Sequence, residues 1–101
     1  MQYLSIKLSK SFVNAIQDYQ VYKNTSAEET LHYISKIEKI RKQLIKIATE
    51  KKHLSKKVQY RNSKQLQYFI IEQHVVFFKI TTTQLQVKYF VAVKRIKKPW
   101  Y

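Results

Sequence analysis

The chain has no glycine and no cysteine, one proline, and only six carboxylates among its 101 residues. Each shortage closes off a class of structure or chemistry. Without cysteine, neither a disulfide nor a thiolate metal site can form. Without glycine there is no Gly-rich loop to cradle a phosphate. The Asn-Gly turns that favour two-residue hairpins are missing too, so slightly longer turns of the type I family are expected. Only Glu72 among the acids lies beyond residue 50. Paired-carboxylate hydrolysis and an acid-held Mg²⁺ therefore have no support in the C-terminal half. His32, His53 and His74 stand far apart without Cys or acid company, which argues against a metal site and leaves no cofactor implied. No run approaches the ~18 apolar residues of a membrane span. The opening MQYLSIKL lacks the apolar core and cleavage site of a signal peptide. The expectation is a soluble cytoplasmic protein, a single domain over residues 1–101 with one modest core.

What the chain has in excess is positive charge. Its net charge is +14, and the excess is uneven. Residues 1–50 hold eight Lys/Arg and five acids, whereas residues 51–101 hold twelve Lys/Arg and one acid. A small domain needs roughly 2–8 net charges for solubility. A larger surplus opposes compaction and points to an anionic partner: nucleic acid, a membrane surface or an acidic protein. General solubility in a Lys-rich chain is the bland alternative, and it leaves the concentration of charge in the second half unexplained.

The stretch from Gln65 to Tyr101 organises the rest. Leu85, Val87, Tyr89, Val91 and Val93 fall at every second position, which predicts a strand with one buried face. His74–Ile80 is apolar on both faces, as a central strand would be. The run from about Lys64 to Ile71 places Leu66, Tyr68 and Ile70 on one side. Glu72-Gln73 and Thr81-Thr82-Thr83 are short breaks, so the three runs should form an antiparallel meander.

Upstream, Leu4, Ile6 and Leu8 alternate in a short first strand, and Ser9 or Ser11 can cap the helix that follows. Phe12, Ile16 and Tyr19, with Val13, make a helical stripe over about Lys10 to Tyr22. After the polar break Lys23-Asn24-Thr25, Ser26 and Glu29 make a capping box. The second helix should run from Ala27 to about Glu50, with Leu31, Ile34, Ile37, Ile40, Leu44 and Ile47 as its apolar stripe. So short a break implies an antiparallel helical hairpin. Val58–Arg61 either continues the basic connector that follows or begins an early strand edge. The fold class is α+β: a short N-terminal strand, two helices, then a three-stranded antiparallel meander (β-α-α-β-β-β). The helices should pack on one sheet face, the first strand should add at an edge, and the opposite face should stay free to work.

Lys, Arg, His and Tyr are the chemistry that remains. Such a set can cleave RNA, because the ribose 2′-OH is itself the nucleophile and needs only a proton acceptor, a proton donor and cations. Lys94 and Arg95 are expected to end the last strand beside Lys97, Lys98, Trp100 and Tyr101, where cations pair with phosphate and rings stack on bases. The plain alternative is a solubilising tail. His74 opens a strand after a turn and can transfer a proton, though a lone His at a turn is more often only surface. Lys51, Lys52, Lys56 and Lys57, with Arg61 after them, can track phosphates or form a solvated charge run.

Two stretches bear a family likeness. One is Gln73-His-Val-Val-Phe-Phe-Lys-Ile80; the other is Val91-Ala-Val-Lys-Arg95 with Tyr101 six residues on. With the order of elements, they make the chain similar to the RelE/ParE superfamily of toxins from bacterial toxin–antitoxin modules. The resemblance covers nearly the whole chain, and Lys97-Lys98-Pro99 is similar to the basic tails of one branch. It implies a growth-inhibiting toxin held inactive by an acidic antitoxin. RelE-like members cut mRNA in the ribosomal A site, while ParE-like members poison DNA gyrase without catalysis. Carried over, Arg95 would stabilise the phosphorane charge, Tyr101 would orient the substrate, and Lys64 would stand where the family places a catalytic Lys. His74 would transfer the proton. The chain departs from the nuclease branch at Val75, where an Arg is usual, and at Phe78, where a Tyr is usual. It also stops at Tyr101, without the terminal helix of some members. The leading expectation is a ribosome-dependent mRNA endoribonuclease that inhibits translation; a gyrase inhibitor without catalysis and a non-toxic basic nucleic-acid or ribosome-binding module are the alternatives.

Overall fold

The computed structural model describes residues 4–23 and 27–96, and gives only the backbone for residues 19–23 and 27–33. The elements are β1 (Ser5–Leu8), α1 (Lys10–Lys23), α2 (Ala27–Glu50), β2 (Val58–Tyr60), β3 (Ser63–Ile71), β4 (His74–Ile80) and β5 (Gln84–Ala92). A 3-10 turn, Val93–Arg95, follows β5. The class is α+β, and the strands form one sheet in the order β1-β5-β4-β3-β2. β3, β4 and β5 make the expected antiparallel meander. Two details differ from the expectation. Val58–Tyr60 takes the strand alternative and adds β2 at the outer edge of β3, beyond the three-stranded meander; β1 joins the opposite edge as expected but pairs parallel with β5, so the sheet is mixed. The proposed capping box of Ser26 and Glu29, and the stripe residues Tyr19 and Leu31, lie outside the described side chains.

Ser9 sets the first junction. Its hydroxyl accepts from the Phe12 N–H at 3.0 Å and so caps α1. Its own N–H donates to the Val87 carbonyl at 2.9 Å, and its hydroxyl donates to the Lys88 carbonyl. Ser9's partners lie at a bulge in the β4–β5 pairing: Phe77 pairs with Tyr89 and Phe78 pairs with Val87, which leaves Lys88 as the extra residue. The bulge corrects the reading of β5. A bulge shifts side-chain phase, so Leu85 and Val87 face the helices while Tyr89, Val91 and Val93 join the opposite layer. Strict alternation in the sequence is thus not one buried face but two half-faces.

The helix-side core sets Leu4, Phe12, Ile40, Leu44, Ile47 and Ala48 against the sheet's inner face, centred on Phe78 and Val76. Ile37, Ile40, Leu44 and Ile47 keep the expected three-to-four spacing. Ile34 does not belong to that stripe. It lies about 100° round the helix from the stripe's centre, and it is 50% exposed. Leu8, placed with Leu4 and Ile6 in the sequence reading, is also largely exposed at the end of the edge strand.

The other sheet face is not bare. Val58, Leu66, Val75 and Phe77 are buried there, with Tyr60, Tyr68, Tyr89, Val91, Val93 and Ile96 packed around them. The register of β2 on β3 slips between Val58↔Leu66 and Tyr60↔Ser63, and Gln65 takes a left-handed φ of 60° at this second bulge. The bend carries the β2–β3 hairpin over the face, so that Tyr60 stacks on Phe77 at 4.6 Å. A face expected to be free is instead a second, smaller core with an aromatic rim.

The β3–β4 turn also departs from expectation. Ile71 pairs with His74, so the loop is only Glu72-Gln73. Their φ values are 45° and 70°, the double left-handed signature of a type I′ hairpin turn built without Gly or Asn. Such conformations cost roughly 1–2 kcal/mol per residue. The offset comes from α2. Lys39 pairs with the Glu72 carboxylate at 2.7 Å, and the buried Lys36 reaches it at 3.7 Å.

Candidate nucleic-acid interface

The sheet register sorts the sequence-derived candidates into separate places. At one end, Val93 N–H donates to the Gln73 carbonyl at 2.9 Å and ties the 3-10 turn to the β3–β4 hairpin. Lys94 and Arg95 therefore ride on this turn, beyond Ala92, and do not end the strand as expected; both are exposed. The tie sets this turn, and Arg95 with it, at the same end of the sheet as His74.

His74 sits on the helix side of β4, its ring stacked on Phe90 at 4.6 Å and 6°. Its Nδ1 lies 3.2 Å from the Glu72 carbonyl. A carbonyl can only accept, so Nδ1 carries the proton and Nε2 holds the lone pair in the neutral ring. Burial pushes the His74 pKa down, helped by the positive charges of Lys36 and Arg95 and opposed by the Glu72 carbonyl and carboxylate. The imidazole is thus held neutral at neutral pH, the state a proton acceptor needs.

That shift has a sign for stability. Below about pH 6.5 the unfolded chain protonates His74 before the folded one does, so the unfolded state binds more protons. Stability contributed by the neutral ring is present above that pH and is lost as pH falls through the depressed folded value. Urea melts of wild type are expected to show falling stability from pH 7 to 5.5, and His74→Gln to flatten the slope. Equal slopes for the two proteins would contradict the shift.

Lys64 is not beside His74. It lies past the bulge, and the strand from Leu66 to Ile71, the residue paired with His74, spans about 17 Å. Lys64 instead adjoins the β2–β3 hairpin tip, where Arg61 has a left-handed φ of 55°. The Arg61 guanidinium carbon lies 5.5 Å from the centres of both the Tyr60 and the Tyr89 rings. Tyr89 OH and Ser63 Oγ are 3.3 Å apart.

The basic connector is pinned, not loose. Lys51 closes α2 in a left-handed conformation, its N–H donating to the Ile47 carbonyl at 2.8 Å. Gln67 Nε2 donates to the His53 carbonyl, and Tyr68 N–H donates to Ser55 Oγ at 3.0 Å. His53 packs edge-on against Phe78 at 5.1 Å and bonds the Tyr68 carbonyl through Nε2, a structural role. Lys51, Lys52, Lys56 and Lys57 all stay exposed along this fastened segment. A shallow concavity of about 320 Å³ between α2 and the connector, lined by Gln43, Lys46 and His53 among others, contains none of the paired groups described above.

Tyr101, Lys97, Lys98 and Trp100 lie outside the described residues. The structure thus sets the turn bearing Arg95 against the hairpin that leads into His74, and leaves Arg61 and Lys64 on the separate β2–β3 hairpin. Sequence reading missed Tyr60, Ser63 and Tyr89 as neighbours of Arg61, because only the bulge at Gln65 folds the hairpin onto them. Among the described residues, no group of three His, Asp or Glu could hold a metal ion, and no helix is long and apolar enough to cross a membrane. No protein-family model matches the chain, and no curated protein matches it.

Proposed function

We propose that this chain is a toxin of the RelE/ParE kind, a metal-independent endoribonuclease that cuts mRNA on the ribosome and is neutralised by an acidic antitoxin. The observation that carries this reading is the Val93–Gln73 hydrogen bond, which sets the turn bearing Arg95 against the hairpin that leads into His74. His74 would take the proton from a ribose 2′-OH as that oxygen attacks the adjacent phosphorus. Arg95 would stabilise the charge on the phosphorane oxygens. The bond to the 5′-oxygen then breaks, leaving a 2′,3′-cyclic phosphate and a 5′-oxyanion that takes a proton from solvent to become the 5′-hydroxyl. The net charge of +14 supports both an RNA substrate and charge-steered capture by an acidic, partly disordered partner.

Primer extension on translated mRNA tests it. Cleavage is expected to fall by about 100-fold or more in Arg95→Ala and in His74→Ala. Cleavage equal to wild type in both would reject the assignment.

A second reading draws on a specific observation. Val75 and Phe78, which stand where the nuclease branch carries Arg and Tyr, are wholly buried in the two cores. That favours a member that binds without cutting, such as a gyrase inhibitor. Both variants would then still arrest growth, with DNA damage signalling while translation continued.

A further inference from the structure

We infer that the β2–β3 hairpin tip is a pre-organised phosphate subsite for single-stranded RNA, with Arg61 as its anchor. The inference rests on the RNA-binding part of the reading above, not on cleavage. Exposed arginines ordinarily sample many rotamers, and ordering one costs entropy at the moment of binding. Arg61 is exposed, yet its guanidinium lies 5.5 Å from the centres of two rings, Tyr60 and Tyr89. The rings are themselves fixed. Tyr60 is stacked on the buried Phe77, and Tyr60 meets Tyr89 edge-on at 5.2 Å. Ser63 holds the Tyr89 hydroxyl at 3.3 Å.

This seat differs from the other well-placed cations. Arg41 is taken up by Glu38 at 3.0 Å, and Lys36 and Lys39 are engaged with Glu72. Among the described residues no carboxylate pairs with Arg61. Its seat is made of ring faces, which leave the N–H donors at the edge of the guanidinium to an incoming anion. A planar fork matches two phosphate oxygens, a geometry that the point charge of an ammonium does not reproduce. Ser63 and Lys64 follow on the same tip and add a hydroxyl and a second charge. The left-handed φ of 55° at a non-glycine residue places this guanidinium over its rings, and the backbone accepts a strained conformation there.

Single-stranded RNA fits better than a duplex, because the tip is a narrow hairpin turn with rings beneath it and not a long cationic track. An acidic peptide is the rival occupant, and the experiment separates them.

The test measures fluorescence anisotropy of a labelled oligouridylate and of a labelled polyglutamate, at two salt concentrations, with wild type, Arg61→Ala and Arg61→Lys. Thermal melts confirm that each variant is folded. The expected result is RNA affinity reduced about tenfold in Arg61→Ala and nearly as much in Arg61→Lys, with the salt slope lowered by about one in the alanine variant only. Should Arg61→Lys bind RNA like wild type, charge alone suffices and the pre-organised seat is refuted. RNA affinity unchanged in Arg61→Ala, or no RNA binding by wild type, also overturns the subsite. So does a loss confined to polyglutamate. The outcome is independent of cleavage: a wild type that binds RNA through Arg61 but never cuts mRNA sinks the nuclease reading and leaves this one standing.

Discussion

Glu72→Gln is expected to lower the unfolding free energy by about 3 kcal/mol, or roughly 12–24 °C in melting temperature. The reason is the company that carboxylate keeps. Its partner Lys36 has a side chain only 5% exposed, and Lys39 sits 2.7 Å away on the same helix. Removing the negative charge leaves the buried Lys36 ammonium with a neutral backbone carbonyl, 3.4 Å away, in place of a carboxylate, and with a second cation nearby. It also releases the anchor of a turn whose two residues are both left-handed. Lys36→Met in the same background should restore most of the loss, because the uncompensated charge is then gone. Chemical denaturation of the two single variants and the double variant checks this. A Glu72→Gln protein within about 0.5 kcal/mol of wild type would show that the turn needs no clamp.

Phe77→Ala should cost about 3–5 kcal/mol, as large as any truncation in the helix-side core. Phe77 is fully buried on the face that carries no helix, stacked on Tyr60 and touching Tyr68 and Tyr89. Ile70→Ala is the control. It is on the same face but 57% exposed, so its loss should stay below about 1 kcal/mol. If that face were an open platform, the two truncations would cost alike. A small effect at Phe77 would mean that the layer around Val58, Leu66 and Val75 does not pack in solution.

The regular elements were legible because their signals are local. His74–Ile80 is a continuous apolar run between two breaks, and β4 has those bounds. The second helix was expected from Ala27 to about Glu50 and spans Ala27–Glu50, set by the spacing of Ile37, Ile40, Leu44 and Ile47. What could not be read depends on residues distant in sequence. The Lys88 bulge is held by Ser9, so nothing near Lys88 announces that Val87 and Tyr89 part to opposite faces. The two-residue turn at Glu72-Gln73 looks excluded by the lack of glycine, and it becomes affordable only through Lys36 and Lys39. At the candidate site the residue types were visible but their grouping was not. The Val93–Gln73 hydrogen bond sets the turn bearing Arg95 against the hairpin that leads into His74, while Lys64 falls on the far side of the Gln65 bulge. Tyr60 and Tyr89 read as ordinary strand aromatics until the hairpin is bent over them.

The parallel pairing of β1 with β5 bears on how the chain is made. Ser5 lies opposite Gln84, and Leu8 opposite Val87. During synthesis β1 leaves the exit tunnel before both helices and three further strands, and its docking edge on β5 follows only after them. Until then the first strand, and the α1 cap that shares Ser9 with the bulge, have nothing to close upon. A nascent chain halted before residue 84 carries both helices but no completed sheet. The Arg61 tip, which leans on Tyr89, and the tie from Val93 to Gln73 are therefore assembled only after β5 has left the tunnel.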